Sequence, residues 1–344
     1  RKMWKVWVAI LWVACLVDAQ IRCKNMKGED VDWFVALKVP ASIDQKKGRS
    51  FAYFDSTQSG WIMSEQPINS TESAIGATVN QLYTTDDKTV FKITYNDECP
   101  NKKAVSGRGH SKGVAVFSID SGFWLVHSVP KFPPAKNYDY PKTGTKFAQS
   151  FLCLSLDASY LEDISQYMRY SHVTPCMSNL PKPFELIAPY LVDVVRKKSL
   201  RFDVKPTISR NLETRGHKRA MAFAKYKNFL NDLWHDFIAL NLQTPMAVET
   251  WRNGHSPDVG TECGTGMNVY DVKSVKVLNK KYVNAMDHSK WGVSMNETIP
   301  AVCIGDINRQ LSQYKRGGGA VCIEDMKLWK TFRESVNSFE DCPI

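Results

Sequence analysis

Residues 109–114 read Gly-His-Ser-Lys-Gly-Val, and residues 287–293, about half the chain further on, read Asp-His-Ser-Lys-Trp-Gly-Val. On an extended segment a histidine and a lysine two positions apart project to the same side. Such a pair is a corner for an anionic oxygen, with an imidazole to attack or carry a proton and an ammonium to hold charge. Two corners face to face can handle one phosphodiester: one imidazole attacks phosphorus, the other protonates the leaving oxygen, and the lysines take the remaining oxygens. Two related halves meeting across a pseudo-twofold axis would supply such corners naturally. The same pairs on two separate solvated strands would do no chemistry, and spacing alone does not choose.

Lys2 and Lys5 precede an apolar run from Val6 to Val17 that ends in Val17-Asp18-Ala19. This pattern predicts a secretory signal peptide over residues 1–19, cleaved near Ala19–Gln20. As a helix the run spans about 18 Å, short of the roughly 30 Å hydrocarbon core. It therefore does not read as an anchor, and no other stretch of the 344 residues is long and apolar enough. Cys15 falls in the leader; the even remainder of the nine cysteines implies disulfides in a secreted chain. The cysteines lack the tight pairs of a zinc site, and no carboxylate cluster has metal-ligand spacing. Neither a metal nor another cofactor is expected. Asn69-Ser70-Thr71 and Asn296-Glu297-Thr298 are glycan acceptor sequons. A formal net charge of +10 suits a polyanion such as nucleic acid, anionic lipid or glycosaminoglycan, and equally a basic soluble surface.

Along the chain, residues 31–40, 50–56, 90–97 and 150–157 read as strands, and 113–130 as a hairpin turning at Asp120-Ser121-Gly122. Pro-rich punctuation follows at 129–142 and 178–184. From Lys218 to Leu242 apolar residues recur every two to four positions, which predicts a long amphipathic helix. Residues 301–307 and 319–323 read as strands, and 324–339 as a closing helix. The pattern is α/β, with an N-terminal half at 20–190 and a C-terminal half at 191–344.

Eight stretches carry a resemblance that spans about Cys23 to Cys342: VDWFVALKVP (31–40), INSTESAIGATVNQLY (68–83), YNDECP (95–100), GHSKGV (109–114), GFWLVHSVPKFPP (122–134), DHSKWGVS (287–294), CIGDINRQ (303–310) and KRGGGAVC (315–322). The chain resembles the deoxyribonuclease II family, acid endonucleases within the phospholipase D-like superfamily. The resemblance implies two phospholipase D-like halves, each a mixed β-sheet flanked by helices. It implies His110 with Lys112 and His288 with Lys290 as the catalytic pairs. It favours His110 as the nucleophile and His288 as the general acid, with the reverse still open. His127 matches a third family histidine that supports activity, although a buried structural role fits it equally. Asp306 and Asn308 stand where the superfamily carries Gly-Ser-x-Asn, as candidates to orient a catalytic side chain and to touch phosphate. The superfamily's acidic residue, five places after each motif lysine, is replaced by Phe117 and Met295, leaving Asp120 and Asp287 as weak candidates to orient the imidazoles. His172, His217, His235 and His255 match no family site.

The resemblance further implies disulfides Cys23–Cys153, Cys263–Cys342 and Cys303–Cys322, which leaves Cys99 with Cys176. The expected activity is metal-independent hydrolysis of double-stranded DNA to 3′-phosphate products through a phosphohistidine. The compartment would be lysosomal or extracellular, without a membrane anchor after signal cleavage, and the form monomeric or homodimeric. A catalytically weak or inactive secreted binding protein on the same fold is the alternative. A lipid phosphodiesterase, from the wider superfamily, is a third.

Overall fold

The strand Trp33–Lys38 is buried along its whole length, with Trp33, Val35 and Leu37 in one apolar cluster and Phe34 and Ala36 in another. A strand apolar on both faces needs cover on both, and that requirement organises the molecule. The computed structural model describes residues 20–201, 203–264 and 266–343, and the expected leader lies outside them.

The first sheet is built from β1 (Trp33–Lys38), β2 (Phe51–Asp55), β3 (Ile62–Met63), β4 (Phe91–Tyr95), β5 (Gly113–Phe117), β6 (Ser121–His127), β7 (Gln149–Asp157) and β8 (Pro175–Ser178), in the order β8-β4-β5-β6-β7-β1-β2-β3. Its ladders are antiparallel throughout. The second contains β9 (Thr207–Glu213), β10 (Arg219–Lys225), β11 (Met246–Glu249), β12 (Val269–Val277), β13 (Lys280–Val283), β14 (Trp291–Ser294), β15 (Ala301–Gly305), β16 (Gly318–Glu324) and β17 (Val336–Phe339). Its order is β9-β10-β16-β15-β14-β11-β12-β13, with β17 on β12. Only this sheet mixes strand directions, through the parallel pair β11–β12.

One continuous core joins the sheets: Trp33, Trp124 and Leu152 from the first share a cluster with Ala222, Val302 and Val321 from the second. Outside it, the helix α1 (Ala74–Thr84) covers the first sheet and a π-helical turn at Trp234–Ala239 covers the second. The helix α2 (Leu161–Tyr170) ties the layers together, its Tyr167 ring edge-on to Trp124 at 4.8 Å. The four expected disulfides are all formed, and both sequon asparagines are exposed. No helix among the described residues is long and apolar enough to cross a membrane.

Two expectations are corrected. The helix expected over Lys218–Leu242 is instead β10, a turn, the π-helical turn and a short helix at Leu240–Leu242. Ala220, Ala222 and Ala224 face the shared core while Phe223 faces outward into the third cluster, a period of two that spacings of two to four concealed. Leu230, at φ 60°, sits in a left-handed conformation that ends any helix there. The closing helix spans Met326–Ser335, capped by Asp325, and Val336–Phe339 then pairs with β12.

Candidate active site

Each histidine motif is the extended lead-in to a central strand, residues 109–112 to β5 and 287–290 to β14. The lysine carbonyl in each accepts from the next strand of its own sheet: Lys112 from His127 N–H at 3.2 Å, Lys290 from Gly305 N–H at 2.9 Å. Both middle serines are buried, so His and Lys project to the opposite side. Each ammonium folds back on its own motif, Lys112 Nζ to His110 O at 3.2 Å and Lys290 Nζ to His288 O at 2.7 Å.

The motifs also dock reciprocally. His110 N–H donates to Gly317 O, just ahead of β16, at 2.9 Å; His288 N–H donates to Ala148 O, just ahead of β7, at 3.0 Å. Lys290 N–H reaches Ser150 Oγ at 3.2 Å. Each corner is therefore held partly by the other sheet's chain. Gly109 and Gly317 make the first joint possible, because a Cβ at either would stand 1.8 or 2.6 Å from Ser171 O. Gly109→Ala is expected to cost at least about 1–3 kcal/mol as an overpacked buried contact, read as a lowered melting temperature. Gly107→Ala, where a Cβ meets nothing within 4 Å, is expected to leave it unchanged.

Beneath the first corner lies Asp97, 4% exposed, which the sequence reading did not single out. Its Oδ1 accepts from Lys112 Nζ at 2.5 Å, and its Oδ2 lies 3.1 Å from Arg316 Nη2 and 3.7 Å from His110 Nε2. Burial alone would push this carboxyl up, but Lys112, His110 and Arg316 together hold it well below the usual carboxylate range. Arg316 is the second omission. It enters from the segment before β16 and binds first-half carbonyls too, its Nε to Arg108 O at 3.2 Å and its Nη2 to Gly109 O at 3.3 Å. Lys225 Nζ, fully buried, donates to Gln313 O, Tyr314 O and Arg316 O and so fixes that segment. The one sequence signal for Asp97 was indirect: with Phe117 in the core and Met295 packed against it, the buried lysine needed a carboxylate from elsewhere.

Burial, then the lysines, hold both imidazoles well below their ordinary value: Lys112 acts on His110, and Lys290, Lys112 and His110 act on His288. Burial, then Lys112, likewise lowers Lys290, against Asp287, Asp97 and Asp306. The two motifs are thus within electrostatic reach of each other. His288 Nδ1 lies 3.3 Å from both Gln149 Oε1 and Lys290 Nζ.

The remaining predicted residues separate. His127 is buried between Phe132 and Phe151; its Nδ1 accepts from Val129 N–H at 3.1 Å, and burial pushes it down to about 3. Asp306 Oδ1 accepts from Gly319 N–H at 2.7 Å, and burial raises it to about 6 against the pull of that N–H and of Lys112. Asn308 is buried with its Oδ1 unpaired. Asp287 accepts from Ser289 N–H at 2.8 Å, and burial raises it to about 6 against Ser289, Lys290 and Lys38. Asp120 lies exposed in the β5–β6 turn, so it orients neither ring. Among the described residues, ligand-type atoms of His235, Asp236 and Glu262 lie within 4.8 Å of one another. Glu262 there also pairs with Arg309 at 2.5 Å.

Two sheets meeting at reciprocally docked histidine–lysine corners, with a buried carboxylate under one, fit the class of phosphodiester hydrolases. The family model described as deoxyribonuclease II matches residues 22–342. Cell-death-related nuclease 7 of Caenorhabditis elegans is 41% identical over 327 residues, covering 94% of this chain and 89% of that protein. Plancitoxin-1 of Acanthaster planci is 33% identical, covering 94% and 92%, and deoxyribonuclease-2-beta of Mus musculus 33%, covering 92% and 91%. The chain belongs to the deoxyribonuclease II family and is an enzyme of that type.

Proposed function

We propose that the chain cuts double-stranded DNA to 3′-phosphate and 5′-hydroxyl ends through a phosphohistidine, without a divalent metal. A ring nitrogen of His110 forms the bond to phosphorus while the 5′-oxygen leaves with the proton of His288. Water then attacks the phosphohistidine, passes a proton to His288 and frees the 3′-phosphate. Lys112 and Lys290 carry the charge of the other phosphate oxygens. The reciprocal docking of the two motifs supports this reading most, because it holds both corners at one junction. Attack makes the His110 ring a cation, and Asp97 at 3.7 Å offsets that charge. His288, beside Gln149 and Lys290, is left to exchange the proton. Four disulfides suit an oxidising secretory route, lysosomal or extracellular.

The pH dependence follows in sign. Both imidazoles are lowered by burial and then by lysine charge. Lowering favours the neutral form of both rings: His110 needs that form as the nucleophile, whereas His288 must gain a proton, which acidification supplies. Cleavage is expected to rise as pH falls and to fade toward neutrality. A bound phosphate favours the imidazolium, so the fall in kcat should lie at higher pH than that in kcat/KM. Plasmid nicking across a pH series with chelator present tests both parts. Abolition by chelator overturns the metal-free mechanism, and a rate that climbs through neutrality overturns the role of His288.

A further inference from the structure

We propose that Phe147 and Trp251 form an aromatic shelf that stacks a nucleobase next to the scissile phosphate; the inference rests on the DNA-cleaving reading above. The rings come from the two sheets, Phe147 just ahead of β7 and Trp251 just after β11. They meet edge to face with centroids 4.6 Å apart, and Trp251 lies 5.3 Å from the His288 ring. Both are half-buried, and neither belongs to any of the three apolar clusters that make the core. Beyond them the exposed Lys146 sets its Nζ 4.9 Å from the Phe147 centroid, a cation for a neighbouring phosphate.

The shelf is held on both sides without help from the rings. Ala41 N–H donates to Lys146 O at 3.1 Å, and Ala148 bridges Asp287. Around Trp251, Thr250 O accepts from Asn284 Nδ2 at 2.8 Å, while Arg252 is tied to Asp271 Oδ2 at 3.1 Å and to Val272 O at 2.8 Å. Two aromatic rings on pinned backbone outside the core, flanked by an exposed lysine and next to the His288 imidazole, match the chemistry of a base-stacking platform, which accepts any base through its π-face. A duplex base must leave its stack to use it, so unpaired or frayed positions should be cut preferentially.

The test uses short single-stranded oligodeoxynucleotides with one phosphodiester among methylphosphonate linkages, carrying adenine or an abasic residue at either flank of that linkage. Loss of the base at one flank is expected to lower kcat/KM about tenfold in the wild type, within the range of one stacked base. In Trp251→Leu and in Phe147→Leu the base-bearing and abasic strands should be cut alike. Phe147→Leu leaves the Trp251 ring beside His288 and the Ala148 carbonyl that holds His288 N–H in place, so it decides the matter if Trp251→Leu folds poorly. A wild type that cuts both strands equally, or discrimination surviving in Phe147→Leu, overturns the shelf and leaves the hydrolase reading intact. A wild type that cuts neither strand nor plasmid DNA overturns the hydrolase reading and the shelf with it.

Discussion

His110→Ala and His288→Ala are each expected to lower turnover by roughly 10⁴–10⁶-fold, the scale seen when one member of a cooperating catalytic set is removed. On the proposed mechanism either ring is useless alone: without His110 no covalent bond to phosphorus would form, and without His288 the 5′-oxygen would leave as an alkoxide. The double variant should therefore be no slower than the singles. Both single variants should still bind DNA, since Lys112 keeps Asp97 and the carbonyl of residue 110, and Lys290 keeps the carbonyl of residue 288. Plasmid nicking and filter binding on the same preparations read both quantities. Near-wild-type nicking by either variant would remove that residue from the mechanism, and failure of both to nick together with lost binding would point to misfolding.

Asp97→Ala should be damaging for a different reason. Lys112, 2% exposed, would keep its charge in the interior with its 2.5 Å partner gone, and Arg316 would lose its own contact at 3.1 Å. Breaking a buried pair on one side costs about 3–5 kcal/mol, which urea unfolding with the disulfides intact would measure. The carboxylate also raises both imidazoles against the lysines. In Asp97→Asn the rise in rate on acidification should accordingly move to lower pH. Replacing the pair together, Asp97→Met with Lys112→Met, should recover much of the stability and none of the turnover. Recovery of turnover in that double variant would show that the pair is merely structural.

The proposed catalytic constellation was half legible. His110, Lys112, His288 and Lys290 announce themselves because a period of two puts chemistry on one side of a strand, and the repeat puts it in two places. Asp97 did not, because a carboxylate that answers a lysine across a sheet has no characteristic spacing from it; only the β4–β5 pairing brings residue 97 beneath residue 112. Arg316 was hidden likewise, reaching its partners from the opposite end of the chain. The Lys218–Leu242 stretch misled because alanines and aromatics at mixed spacings satisfy both periods, and ladder partners on either side of β10 decided for strand.

By itself the sequence determined where the strands of the first half run, since apolar and β-branched runs bounded by turn residues suffice for that, and it determined the two corners, since residue identity and local extension suffice for each. The tertiary structure alone decided that the corners dock on each other's sheets, that glycines at 109 and 317 permit it, and that Asp97 and Arg316 complete the first corner. Those facts depend on close approach between segments far apart in sequence, and contact at that range is settled by how whole layers pack, which no local pattern encodes.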